Sequence, residues 1–540
     1  MFTLNQHMSK KRLKFFLAFT LGLNAILLYK VATQSVDSEK RLQNCHSECL
    51  YLSESRRIDQ RNLEELICAR HNKDQFIFRG TRNLIKGAYS EALHLKDFAK
   101  KYFRKDLDQT TKAALEEDYS RNYLPFKDLT WKIESLVDNI HRESRKQLTI
   151  LGDQVQERIR KLQNPSDCKT AKKLICKFPY CGLGCQLHHI GNCLLVALGT
   201  NRVMLVNYKK VRYPGFEKVF LPLSETCSNE DLPVLTVEWL GELQKNYDNI
   251  PVISLNQEPA KDETLFRAFT IPKSLQESVE VLHDDPHLWW VGQIMRYVFR
   301  LRPWIVGKVE QITEKLNLTQ PYVSVHVRRT DKLVEEARKC EIEEYMEHVI
   351  DWYDRHVGSV EGGRVYVASD DLASVIPEAR SKYPRFTFLY HAEDKKPLKD
   401  MTQTVKGRET EEELVSLVCD LMILSRSDYF IGTYSSNIGR LVVQLMHSVD
   451  DATFKTRSVD QQMSFQLGIP LYYRSIEAHF GQEGELSFNA GERIVLQPFV
   501  ESPAYKGFGT NRAGHYGSFP MYKVEKILPP VPYLALSNKV

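Results

Sequence analysis

Between residues 321 and 447, short apolar runs alternate with longer segments of helical period, and that alternation admits few folds. Val323, Val325 and Val327 mark a first, half-buried strand. Arg364-Val-Tyr-Val-Ala-Ser-Asp-Asp371 reads as a second strand, Phe386–Tyr390 as a third and Tyr429–Thr433 as a fourth. Between them, Ile342–Tyr353 and the stripe Leu414, Leu417, Val418, Leu421 and Leu424 have the three- and four-residue spacing of helices. A last helix opens at Ser435-Ser436-Asn437 and ends near Met446. Strands and helices in regular succession build a doubly wound parallel sheet. Ligands of such sheets collect beyond the carboxyl ends of the strands.

The chemistry is therefore expected in the loop that follows the first strand, Pro321-Tyr-Val-Ser-Val-His-Val-Arg-Arg-Thr-Asp331-Lys332. Alternation places Ser324, His326 and Arg328 on the face opposite the valines. Arg328 and Arg329 are adjacent, and two planar guanidiniums there suit a pyrophosphate, each gripping oxygens through two N–H groups. The competing reading is a solvated basic turn paired with Asp331. Ser435 and Ser436 stand where serines cap a helix or where a helix end collects an anion. The segment has neither G-x-G-x-x-G nor G-x-x-x-x-G-K-[ST], which argues against a standard dinucleotide enzyme or a P-loop ATPase.

The amino terminus defines the compartment. Residues 1–36 hold Lys10, Lys11, Arg12, Lys14 and Lys30 and no acid, which accounts for the whole net charge of +5. The remaining chain is balanced, and so lacks the global basic excess of a nucleic-acid-binding protein. The uncharged run Phe15–Tyr29, extended by Val31 and Ala32 if Lys30 snorkels, predicts a signal-anchor over residues 15–32. Its basic flank puts residues 1–14 in the cytoplasm and the rest in a lumen; a cleavable signal peptide is the alternative. Among the 11 cysteines, Cys168, Cys176, Cys181, Cys185, Cys193 and Cys227 cluster without the paired C-x-x-C spacing of a zinc site. In a lumen they are expected as disulfides, with pairing left open. Asn317-Leu-Thr is the one glycosylation sequon.

Residues 33–58 read as a polar stem holding Cys45 and Cys49, and 59–165 as a helical region almost free of proline and glycine. Ile133, Val137, Ile140, Leu148, Leu151, Val155, Ile159 and Leu162 form a narrow stripe of coiled-coil type, broken at Ser144 and suited to a spacer or a homodimer contact. Residues 166–320 form a first α/β unit. Its expected strands include Cys193–Leu198 and Val203–Val206, and its expected helices include Leu288–Phe299. Neighbouring His188 and His189 would point to opposite sides of a strand, which favours core or acceptor-site roles over metal ligation. The second unit spans 321–465. Residues 466–533 carry short strands, turn glycines, Glu485-Leu-Ser-Phe-Asn-Ala-Gly491-Glu492 and Gly517-Ser-Phe519-Pro520-Met-Tyr522, and resemble a Src-homology-3 barrel, with 534–540 as a tail. Aromatic grooves of such barrels bind proline-rich ligands, but a lumenal place favours structural docking.

Taken together, Val325-His-Val-Arg-Arg-Thr-Asp-Lys332, Glu343-Glu-Tyr-Met346, Ser369-Asp-Asp371, Thr433-Tyr-Ser-Ser436, Cys185-Gln-Leu-His-His189 and the terminal barrel resemble the α-1,6-fucosyltransferase family over residues 60–530 or so. The resemblance implies a GT-B-like α/β enzyme of the Golgi membrane, single-pass and type II. It implies GDP-fucose as co-substrate, no metal or other cofactor, and an N-glycan acceptor on glycoproteins, fucosylated at the 6-hydroxyl of its innermost GlcNAc. By position, Arg328 is implied as the pyrophosphate ligand, and Arg329, Asp331 and Lys332 as shaping the same site. His326 and Asp420 are implied to hold the guanine, and Asp370, Asp371, Tyr345 and Ser436 to contact the donor. Glu336 is implied as the catalytic base with Lys332 orienting it. The cysteines are implied to pair as Cys168 with Cys227, Cys176 with Cys193 and Cys181 with Cys185.

The chain departs from the family pattern at three points. Gly432 and Gly439 stand where the family has a further disulfide, and the segment from Asp371 to Asp420 is longer. After Lys332 the sequence reads Leu-Val-Glu-Glu-Ala-Arg-Lys-Cys340, so Glu335 competes with Glu336 as the base. Two other functions fit the same features: another lumenal GDP-sugar fucosyltransferase, or a catalytically inactive glycan-binding scaffold.

Overall fold

The structure, a computed structural model, describes residues 142–536 apart from 178, 209–210, 229–235, 240–249, 256–265, 267–269, 284, 330–337, 392–408, 453–454, 461–470, 482–483, 498–505 and 528–529. The expected membrane span, the stem with Cys45 and Cys49, and most of the helical region, Cys68 included, lie outside the described residues. No helix among the described residues is long and apolar enough to cross a membrane.

The first element is α1 (Arg142–Gln163), the end of the helical region. Its stripe does not form a seam for a second chain. Leu148, Val155 and Ile159 are buried in this chain's own core, and Leu151 and Leu162 pack against it. A stripe at this spacing fits any helix with one covered face, so the pattern alone could not name the partner.

The first α/β unit follows with β1 (Lys173–Lys177), α2 (Leu183–Gly199), β2 (Val203–Asn207), the short α3 (Phe216–Val219), β3 (Val237–Glu238), β4 (Val252–Leu255) and β5 (Ile271–Pro272). Helices α4 (Lys273–Leu282), α5 (Pro286–Val298) and α6 (Pro303–Lys315) close it. Strands β1 to β4 form a parallel sheet in the order β2-β1-β4-β3. The expected strand Cys193–Leu198 is instead the second half of α2. That helix is buried on nearly every side, so its apolar residues form a run without period and read like a buried strand. His188 and His189 therefore sit on a helix, about 100° apart. The three implied disulfides, Cys168–Cys227, Cys176–Cys193 and Cys181–Cys185, are all present in this unit. Asn317 lies exposed just past α6 with a positive φ of 47°.

The second unit contains β6 (Val323–Val327), α7 (Ile342–His356), β7 (Arg364–Ser369), α8 (Leu372–Lys382), β8 (Thr387–Leu389), α9 (Glu411–Ser425), β9 (Tyr429–Gly432), α10 (Asn437–His447) and β10 (Thr456–Ser458). Its strands are parallel, in the order β10-β9-β6-β7-β8. Val323, Val325 and Val327 join a core with Tyr345, Met346 and Val349 of α7 and Val375 and Ile376 of α8. On the opposite face Tyr366, Ala368 and Phe430 enter the core of the first unit, together with α9 and α10. Strand β6 is therefore buried on both faces rather than half-buried. Parallel strands are covered by crossover helices on both sides. Its one hydroxyl is satisfied inside, Ser324 Oγ donating to the Leu424 carbonyl at 3.2 Å.

Helix α10 joins the two units. Its amino end packs so closely on α2 that a side chain at Gly184 would place its Cβ 2.8 Å from Cβ of Asn437. Its carboxyl end meets α4, where His447 Nδ1 lies 3.1 Å from His283 Nε2.

The carboxyl-terminal part is an antiparallel sheet of β11 (Leu471–Ser475), β12 (Arg493–Leu496), β13 (Lys506–Thr510), β14 (Tyr516–Pro520) and β15 (Val524–Lys526), in the order β14-β13-β12-β11-β15. The segment expected at 466–533 is not self-contained. Strand β16 (Pro530–Val531) pairs with β5 of the first unit. Lys526 on β15 forms a partly buried ion pair with Asp285, which also caps α5 by accepting from Leu288 N at 3.2 Å.

Candidate active site

In the second sheet the chain starts at β6, moves one way to β7 and β8, then returns to the other side for β9 and β10. The strand order thus reverses between β6 and β9, and the crevice beyond their carboxyl ends is where such a sheet binds ligands. Three loops meet there: the residues after β6, the pair Asp370-Asp371 after β7, and Thr433–Ser436 between β9 and α10.

Arg328 leaves the end of β6 and donates from Nη1 to Asp370 Oδ2 at 2.6 Å, its side chain 24% exposed against 7% for Asp370. The other Asp370 oxygen accepts the Arg329 backbone N–H at 2.9 Å. Asp370 thus orients Arg328. Arg329 is a correction to the paired-guanidinium expectation. Its side chain is buried and turned onto α8, 2.7 Å from Glu378, because the next residue of an extended chain faces the opposite side. One guanidinium, not two, faces the crevice. Asp371 begins α8 and accepts from Ser374 Oγ at 3.0 Å.

His326 and Asp420 lie between the sheet and α9, 6% and 4% exposed. The Ser324–Leu424 hydrogen bond sets the level of the helix against β6. Two strand residues rise ~6.6 Å, and four helical residues ~6 Å, so His326 and Asp420 share the next layer toward the carboxyl edge. Asp420 Oδ1 accepts from Tyr366 OH at 2.6 Å. The structure therefore brings the two implied guanine residues to one level.

Tyr345 is placed differently from a donor contact. It is fully buried in the core beneath the sheet, burial raises its phenol well above the usual range, and its hydroxyl finds no partner among the described residues. No ligand reaches it in this arrangement. Its sequence position, in Glu343-Glu-Tyr-Met346 at the start of α7, does not reveal which way the helix is turned. Ser436 precedes α10 and is 3% exposed, but its side chain makes no capping hydrogen bond. The first-turn N–H groups of α10 therefore keep their donors, the arrangement that collects an anion.

Asp331, Lys332, Glu335 and Glu336 lie outside the described residues. The described chain resumes at Arg338. Arg338 holds Glu344 through Nη1 to Oε1 at 2.8 Å and Nη2 to Oε2 at 2.6 Å, and donates to the Val459 carbonyl at 3.1 Å. Lys339 pairs with Glu341 at 3.0 Å.

The first unit completes the crevice with residues that had no signature in the sequence. The loops after β1 and β2 reach across to the residues before α9. Arg212 Nε donates to Glu409 Oε1 at 2.9 Å, and Tyr180 OH donates to the same oxygen at 2.8 Å. Tyr213 stands close enough to Arg328 to feel its charge, while burial raises its phenol. Disulfides Cys176–Cys193 and Cys181–Cys185 bracket the Tyr180 loop. The carboxyl edge of each parallel sheet thus faces one crevice, with Arg328 within it.

The comparisons agree with this arrangement. A family model described as alpha-(1,6)-fucosyltransferase N- and catalytic domains matches residues 27–462. An alpha-(1,6)-fucosyltransferase of Drosophila melanogaster is 34% identical over 394 residues, 72% of this chain and 61% of the fly protein, so the match spans under two thirds of that relative. One of Caenorhabditis elegans is 29% identical over 434 residues, covering 77% of this chain and 74% of the nematode protein. Among solved structures, fucosyltransferase NodZ from Bradyrhizobium is 14% identical, covering 50% of this chain and 92% of that chain at a TM-score of 0.31. POFUT1 in complex with GDP is 13% identical, covering 52% and 96% at 0.33. TM-scores this low carry no argument about the fold. The family match spans both α/β units and every described residue of the crevice, and on it the chain belongs to the alpha-(1,6)-fucosyltransferase family.

Proposed function

We propose that this chain is an inverting glycosyltransferase. It would move fucose from GDP-β-L-fucose to the 6-hydroxyl of the innermost Asn-linked GlcNAc of N-glycans. The observation that carries the reading is Arg328, held by Asp370 at the switch-point crevice of a chain in this family. Departure of GDP breaks the C1–O bond with its electron pair leaving on the phosphate, and a fixed guanidinium stabilises that charge as it develops. The acceptor oxygen forms the new C1–O bond from the opposite face and gives its proton to a carboxylate base, worth ~10²–10⁴-fold. Glu336 is assigned as that base and Lys332 as its orienting cation. His326 and Asp420 are assigned to the guanine.

The same reading makes the reaction metal-free, with Arg328 and the amino end of α10 supplying the positive field that a metal would otherwise provide. It also makes the fold GT-B-like, the carboxyl-terminal sheet an SH3-like docking module, and the protein a type II Golgi membrane enzyme. A homodimer through the helical residues before α1 belongs to the same reading. The test is turnover of purified protein with GDP-fucose, GDP-mannose or UDP-GlcNAc and a GlcNAc-terminated glycopeptide, with and without EDTA. Transfer from GDP-fucose alone, unaffected by EDTA, is expected. Transfer from another sugar nucleotide, or activity lost to EDTA and restored by manganese, contradicts it.

A further inference from the structure

Asp460 lies two residues beyond β10, outside every motif named above. It is 4% exposed, and its carboxylate faces the loop between β9 and α10. Oδ1 accepts the Tyr434 backbone N–H at 2.7 Å and Oδ2 the Ser435 N–H at 3.2 Å. Ser458 Oγ donates to Oδ1 at 2.9 Å. From the other side Arg440 of α10, 2% exposed, donates to the Tyr434 carbonyl at 3.2 Å and pairs with the Asn437 side chain at 2.5 Å. Gly439 closes the junction, since a Cβ there would lie 2.3 Å from the Thr433 carbonyl oxygen. Two hydrogen bonds from the loop to one buried carboxylate, itself held by Ser458, fix a four-residue loop that has no regular structure of its own.

The sign of the charge makes this informative. The loop and the first turn of α10 border the crevice that holds Arg328, and on the reading above they face the diphosphate of GDP-fucose. A carboxylate beside a diphosphate is repulsive. As an electrostatic element Asp460 is therefore wrong for an anion site. It is right as an acceptor for two adjacent N–H groups, because only a carboxylate offers two oxygens in that geometry and no donor. We propose that Asp460 is a positioning residue for donor binding: it fixes loop 433–436 so that Ser436 and the amino end of α10 present their donors to the diphosphate. This inference rests on the GDP-fucose reading. Tyr434 and Ser435 N–H are spent on Asp460, which leaves the diphosphate to the α10 end and Arg328.

Position and charge make opposite forecasts for Asp460→Asn. The amide keeps the shape and removes the negative charge, but sets an NH2 against one of the backbone N–H donors. If the residue positions the loop, GDP affinity measured calorimetrically on the full chain falls at least ~10-fold. The donor KM rises in step and the acceptor KM stays unchanged, a split that general loss of structure would not produce. GDP binding as tight as wild type, or tighter, overturns the inference. Should Asp460→Asn fail to fold, Ser458→Ala removes one bond to the same carboxylate. A ~2–5-fold rise in donor KM alone is then expected, and an unchanged donor KM overturns the inference. A wild-type chain that binds no guanine nucleotide sinks the donor reading itself, whereas tight wild-type binding with an indifferent Asp460→Asn sinks only the role of Asp460.

Discussion

Arg328→Ala does more than delete a cation. Arg328 and Asp370 meet at 2.6 Å, and Asp370 is only 7% exposed, so truncation takes the neighbouring cation from a buried carboxylate at the mouth of an anion site and leaves it the Arg329 N–H. The lost charge-assisted hydrogen bond to a phosphate is worth ~1.5–3 kcal/mol. A carboxylate that has lost its cation, about 6 Å from a phosphate charge at an effective dielectric of about 20, adds a repulsion of ~3 kcal/mol. Together these weaken GDP binding by ~5 kcal/mol, or more than ~10³-fold. The two contributions separate in a double variant. Arg328→Ala combined with Asp370→Asn keeps the first loss and removes the second, so it should bind GDP ~10²-fold better than Arg328→Ala alone. Asp370→Asn by itself should still weaken binding modestly, because Arg328 loses its orienting partner even as the site loses a negative charge. Isothermal calorimetry with GDP on the four proteins completes a double-mutant cycle. If the double variant binds no better than Arg328→Ala, Asp370 does not face the nucleotide and the assignment of Arg328 to the diphosphate is wrong.

Glu336→Gln should cut turnover by ~10²-fold or more with GDP binding largely kept; near-normal turnover with a loss instead in Glu335→Gln would move the base by one residue. Lys526→Met should cost ~1–3 kcal/mol in chemical denaturation, because Asp285 is left charged and only partly solvated, and unchanged stability would show that the carboxyl-terminal sheet is not anchored through that pair. Burial, with the Arg440 charge adding to it, lowers His188 to about 4, and burial with the His283 imidazole lowers His447 to about 3. The unfolded chain takes up those protons near pH 6.5 while the folded chain refuses them, so stability is full above that pH and falls as pH drops toward about 4. For His188 alone the loss is ~3 kcal/mol at 1.36 kcal/mol per pH unit. Urea midpoints at pH 7 and pH 5 measure it, and His188→Gln should reduce the difference.

Four strands of the second unit were legible because each is a short apolar run bounded by turn residues, whereas β10, Thr-Arg-Ser, has no apolar run and α8 was not read. The first unit hid α2, since a helix buried all round has no polar face to mark its repeat. The α1 stripe was legible as a stripe, but nothing in one helix says whether its own chain or another covers it. Within the site, alternation put Arg328 on the face of Ser324 and His326, and Arg329 was mispredicted as a second crevice-facing guanidinium by adjacency alone. The adjacency of two arginines suggested a pair, while strand geometry sends neighbours to opposite sides. Tyr345 resembled a donor contact by position, yet the turn of α7 buries it. Asp460 was illegible because the groups it serves are backbone N–H donors, which every residue but proline carries. Tyr213 and Arg212 were missed because their loop reaches the crevice only through the packing of one unit on the other.

The most direct measurement is the linkage of the product. Purified protein, GDP-fucose and a GlcNAc-terminated N-glycopeptide are incubated, and the product is permethylated and fragmented in a mass spectrometer. One fucose on the Asn-linked GlcNAc, joined through its 6-oxygen with an α anomeric configuration by NMR, is the predicted result. Fucose at any other oxygen or residue, a retained β configuration, or glycopeptide recovered unchanged from active-site-intact protein that binds GDP would contradict it.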